Sequence, residues 1–116
     1  MFVYLGKITY EPYAKDELIA VILRDNLQPG DKVIVLHQWT KPDGGKPKAN
    51  SASHGTIGRI TVTGTAQKEI EFLANEKDET YYWFKGTMAC DKMNLSMMNK
   101  AGEEVAKNIE LDVAFF

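Results

Sequence analysis

Residues 15–28 read KDELIAVILRDNLQ, and the fold class turns on them. With a helical period, Asp16 caps the N-terminus and Leu18, Ile19, Ile22 and Leu23 form one apolar stripe. With a period of two, the same run is a strand rich in Ile and Val, and QPGD (28–31) turns it tightly into the next segment. The apolar residues fill both periods, so this stretch does not decide for itself. Its neighbours decide, because they are strands.

The following segment, DKVIVLHQWT (31–40), is apolar in both phases: Val33 and Val35 on one side, Ile34 and Leu36 on the other. That is the pattern of a strand covered on both faces. FVYLGKITY (2–10) alternates through Phe2, Tyr4, Ile8 and Tyr10, interrupted by Gly6. GRITVTGTA (58–66) places Ile60 and Val62 against Arg59, Thr61 and Thr63, and KEIEFLA (68–74) places Ile70 and Phe72 against Glu69 and Glu71. DKMNLSMM (91–98) groups Met93, Leu95 and Met97, and KNIELDVAFF (107–116) groups Ile109, Leu111, Val113 and Phe115. Turn-forming clusters such as NEKDE (75–79) and NKAGEE (99–104) separate the runs.

Short alternating strands at this spacing predict an all-β, mostly antiparallel sandwich or barrel of seven to eight strands, one domain over 1–116. An α+β protein with one helix at about 16–27 is the alternative. The expected core is Val3 or Phe2, Ile22, Val33, Val35, Ile60, Val62, Ile70, Phe72, Tyr82, Phe84, Leu95, Met97, Ile109, Leu111 and Val113. The stretch KPDGGKPKANSASHGT (41–56) is the one long irregular segment and reads as a flexible loop.

Bulk composition narrows the function classes. The 116 residues are 44% hydrophobic and 26% charged, which places the chain among globular proteins rather than disordered ones. A net charge of -2 argues against a dedicated nucleic-acid surface. No apolar run approaches the roughly 18 residues of a membrane span. MFVYLGKITYEP carries no secretory leader, so the expected compartment is the cytoplasm, although a chain already trimmed of its signal would read the same. The one cysteine, Cys90, can form no disulfide within the chain and is expected as a small buried hydrophobe.

Catalytic and cofactor patterns are missing from the text. His37 and His54 match no metal-ligand spacing, and no strained serine elbow is present. GGKPK (44–48) lacks the spacing of a phosphate loop, and its prolines forbid the helix such a loop opens. No cofactor, metal or catalytic residue is expected. A small hydrolase would need His37 or His54 within hydrogen-bond reach of a serine or carboxylate.

The remaining lead is TYYWF (80–84), with four consecutive aromatic residues. On a strand they alternate: Tyr82 and Phe84 take the core face, while Tyr81, Trp83, Lys85 and Thr87 take the other. Large rings beside a cation and a hydroxyl suit a partly wet contact surface. His37 and Trp39 share one side of their strand and lead into the 41–56 loop, which contains His54. The expected contact residues are therefore Tyr81, Trp83, Lys85, Trp39, His37 and His54. The chain reads as a non-catalytic binding or assembly module, its partner another protein or a second copy. Binding of a carbohydrate or other small ligand is the alternative.

Overall fold

The computed structural model describes residues 1–10, 14–24, 27–39, 49–74 and 82–115, the side chains at 49–54 and 115 excepted. It contains eight strands: β1 (Phe2–Tyr10), β2 (Ala14–Leu23), β3 (Lys32–Trp39), β4 (Ala49–Gly64), β5 (Gln67–Ala74), β6 (Tyr82–Met88), β7 (Lys92–Met98) and β8 (Glu104–Phe115). Each pairs antiparallel with the next in sequence, and β1 pairs with β8 to close a barrel. The ambiguous stretch is strand β2, so the all-β reading holds and the helix does not form. Closure removes both sheet edges at once. Among the described residues no helix is long and apolar enough to cross a membrane.

Inside the barrel the inward phase is almost wholly apolar. Ile19, Val21 and Leu23 of β2 meet Val33 and Val35 of β3, Ile57 of β4, Ile70 and Phe72 of β5, Phe84 of β6, Leu95 and Met97 of β7, and Ile109 and Leu111 of β8. Phe72 and Phe84 are direct cross-strand partners whose rings stack at 5.1 Å and 13°. Tyr4 donates its phenol hydrogen to the Ala89 carbonyl at 3.1 Å, tying β1 to the turn before Cys90. Burial, with Cys90 and Asp91 nearby, pushes that phenol's pKa upward and keeps it a donor.

Three details depart from the sequence reading. On β2 the inward phase is Ile19, Val21 and Leu23, whereas Ile22 faces outward and is half-buried. Val62 is 71% exposed, because β3 pairs with β4 only as far as Thr56 and the β4–β5 hairpin runs on with one neighbour fewer. Cys90 is exposed in the β6–β7 turn instead of buried. In addition, Ala49–Thr56, expected within the loop, pair residue by residue with Trp39–Lys32; residues 41–48 lie outside the described residues.

Bulges adjust the phase where the chain needs it. On β2 the register shifts after Ile8, with Asp16 at φ 52° and its backbone N–H donating to Thr9 Oγ1 at 2.9 Å. Two residues, Lys15 and Asp16, thus stay outside between buried Glu17 and buried Ala14. A matching bulge on β8, with Asn108 at φ 53°, brings both Ala106 and Ile109 inward.

Candidate functional sites: one barrel end and two outer faces

The residues singled out from sequence divide between the two sides of the barrel wall. Trp83 and Lys85 point outward on β6 and are exposed, while Tyr82 and Phe84 point inward as the alternation required. Trp83 borders a groove of about 260 Å³ together with Arg59, Glu71, Leu73, Lys85 and Met98. His37 and Trp39 instead share the phase of Val33 and Val35, which is the lumen side of β3. The structure therefore does not join Trp83 to His37 and Trp39. His54 is paired in backbone register with Ile34, and Tyr81 lies outside the described residues.

At one end of the lumen, four residues of chemical interest come together. Tyr10 closes β1, Glu17 lies on β2, His37 on β3 and Tyr82 opens β6. The Tyr10 ring meets the His37 imidazole edge-on at 5.4 Å and the Tyr82 ring at 6.1 Å. Glu17 follows the inward phase of Ile19, Val21 and Leu23, and is 4% exposed. Among the described residues Glu17 is the one charged side chain that is buried. Sequence reasoning passed over Glu17, although an acid two residues before Ile19, in the phase that carries Val21 and Leu23, is a readable signal.

Neither ring nitrogen of His37 finds a hydrogen-bond partner among the described residues. Burial lowers its pKa below the ordinary 6.5, opposed by the nearby backbone of Gln38 and of His37 itself and by the charge of Glu17. The folded protein accordingly binds fewer protons at this site than the unfolded chain. The contribution of neutral His37 is present above pH 6.5 and is lost as the pH falls through the lowered folded value. Urea unfolding at about pH 7.5 and about pH 5.5 should show a drop in stability that His37→Gln reduces. An equal drop in both proteins would refute this.

The second surface is the outer face of β1, β2 and β3, on the opposite side of the barrel from Trp83, since β2 and β6 are four strands apart in the closed order. Register aligns two apolar rows there: Val3–Ile22–Ile34 and Leu5–Ala20–Leu36. Leu18 extends the second row beside Lys7. Leu5, Leu18 and Leu36 are 38%, 47% and 40% exposed. These are the strands whose two phases are both apolar, and the barrel covers only one of them. A cleft of about 460 Å³ lies toward the Cys90 end and is lined by mixed charges including Lys68, Lys92, Glu110 and Asp112. Comparison with protein-family models, with curated proteins and with solved structures finds no match.

Proposed function

We propose that the protein is a non-catalytic binding and assembly module that associates with a second copy of itself through the outer face of β1–β3. One observation carries this reading: an uninterrupted apolar face across three neighbouring strands, where a solvated antiparallel sheet alternates with polar residues. Its limits are polar. Lys7 and Gln38 stand at one end of the rows, Arg24 and Lys32 follow at the other, and Asp112 lies beside Leu5 on β8. An apolar centre inside a polar rim is the anatomy of a protein contact.

A second copy is the occupant favoured by the absence of charge within the rows. No ionic pattern there selects a different partner, and a twofold axis through Ala20 would set row against row in an isologous contact. The aromatic contact expected from TYYWF is a separate outer surface on this reading, with Trp83 flanked by Arg59, Glu71 and Lys85.

Sedimentation or light scattering tests the assignment. The wild-type chain should run at twice its 13.0 kDa mass. Leu18→Glu combined with Leu36→Lys should return it to a monomer that keeps its β-sheet spectrum, because both positions are exposed within the chain. Trp83→Ala should leave the dimer intact. A monomeric wild type overturns the proposal, and a dimer broken by Trp83→Ala but not by the leucine changes moves the contact to β6.

A further inference from the structure

We infer that the outer groove along β6 binds a neutral, extended oligosaccharide, with Trp83 as the platform for one sugar ring. This site lies across the barrel from the β1–β3 face and does not depend on the dimer. The groove that Trp83 borders continues into a second hollow of about 340 Å³. The two share Arg59, Glu71 and Lys85, and the second extends to Glu69, Thr87 and Ser96. Trp83, Lys85 and Thr87 follow one another in the outward phase of β6, so the trough runs about 13 Å along the strand. That is longer than a single sugar ring. Part of its depth comes from Gly58. A register shift between Ile57 and Arg59 makes Gly58 the extra residue of a bulge, and it puts no side chain into the groove it lines.

Register sorts the groove into an apolar row and a polar one. Leu73, Trp83 and Met98 are cross-strand neighbours, and one step along so are Arg59, Glu71, Lys85 and Ser96. A pyranose ring has the same two characters, an apolar C–H face that stacks on an indole and a rim of hydroxyls. Hydroxyls both donate and accept, so they serve the Arg59 and Lys85 cations and the Glu69 and Glu71 carboxylates alike. Those two cations and two carboxylates cancel, and a ligand charged with either sign would be opposed by one pair. Arg59 and Glu71 pair with each other at 3.4 Å. The side chains of Glu69, Lys85, Thr87 and Ser96 have no partner among the described residues. An extended peptide fits less well, because peptides join sheets by pairing with an exposed edge and the closed barrel has none.

Calorimetric titration of the intact chain with cellohexaose, mannohexaose and xylohexaose tests the site, with tryptophan emission followed in parallel. At least one of these neutral chains should bind, quench the emission, and hold at least about tenfold more tightly than its own disaccharide. Hexagalacturonate and the glucosamine hexamer, of equal length but charged, should bind at least about tenfold more weakly. Trp83→Ala should abolish binding. Gly58→Leu should weaken it at least about tenfold by filling the groove. A Cβ at 58 would meet only the Glu71 carbonyl oxygen, at 3.8 Å, so the barrel accommodates that change. Leu36→Lys, on the other outer face, should leave every affinity unchanged. Failure of all three neutral chains to bind, or binding that survives Trp83→Ala, overturns the site. A charged hexamer that binds as tightly overturns the neutral ligand, and an uncharged Gly-Ser hexapeptide that binds in place of the sugars overturns the glycan. A dimer broken by Trp83→Ala would put a second copy in the groove and overturn it too. Failure of the sugars alone leaves the β1–β3 contact standing, since Leu18→Glu with Leu36→Lys tests that separately.

Discussion

Gly86→Ala is expected to destabilise the barrel by about 3 kcal/mol or more, although it adds a single methyl group. The reason is where that methyl would go. Gly86 stands in the inward phase of β6 between Phe84 and Met88, paired with Ile70 on one side and Leu95 on the other. A Cβ there would lie 2.9 Å from the Asn94 carbonyl carbon and 2.9 Å from Leu95 Cα, and closer still to the Asn94 oxygen. All of these are backbone atoms, so no side chain can rotate aside and the β6–β7 ladder itself must give way. Gly6 does the same work at the closing seam, where a Cβ would lie 3.1 Å from the Glu110 carbonyl carbon and 3.2 Å from Leu111 Cα. Missing side chains at such points let neighbouring strands coil tightly enough to close a barrel. Denaturant unfolding should show the loss, equivalent to a fall of roughly 12 °C in the melting temperature. Gly64→Ala is the control, since its Cβ would meet only the Gln67 side chain, at 3.5 Å, and should change stability by less than about 0.5 kcal/mol. Similar effects at 64 and 86 would show that close approach of the backbone is not what position 86 requires.

How much of this was legible in the sequence depends on how much polar punctuation each strand carries. β6 could be phased because Lys85 marks one side, and β5 because Glu69 and Glu71 do the same. β2 and β3 are apolar in both phases, so the text gave strands but no direction, and Ile22 was placed inside where Val21 and Leu23 are. The same ambiguity concealed the outer face. Doubly apolar strands suggested a second covering layer, and the barrel supplies none among the described residues. Closure itself was not legible, because nothing in β1 or β8 alone says that Tyr4 will face Val113 across a seam. The lumen cluster was half legible. His37 and Trp39 show their shared side in the sequence, and Glu17 keeps the alternation of Ile19, Val21 and Leu23, but in a strand apolar in both phases that alternation does not say which side is inside.

The second large effect is expected one residue away from a change that should do little. Phe84→Ala should cost about 3–5 kcal/mol, whereas Trp83→Ala, which removes a larger ring, should cost less than about 1 kcal/mol. Phe84 is 2% exposed and Trp83 is 52% exposed, so the strand's alternation alone separates them. Phe84 also stacks on its cross-strand partner Phe72, itself 2% exposed, and such a pair contributes about 0.5–1.5 kcal/mol beyond the area it buries. A double-mutant cycle with Phe72→Leu and Phe84→Leu isolates that part, because leucine keeps most of the volume while removing the ring. The coupling should be favourable and of that size. The larger share of the loss in Phe84→Ala comes from the cavity left where Ile70, Phe72 and Leu95 cannot collapse, held as they are by ladders on both sides. If Trp83→Ala proved the more damaging of the two, the inward and outward faces of β6 would be exchanged. Every assignment of lumen and outer wall that depends on that phase would change with them.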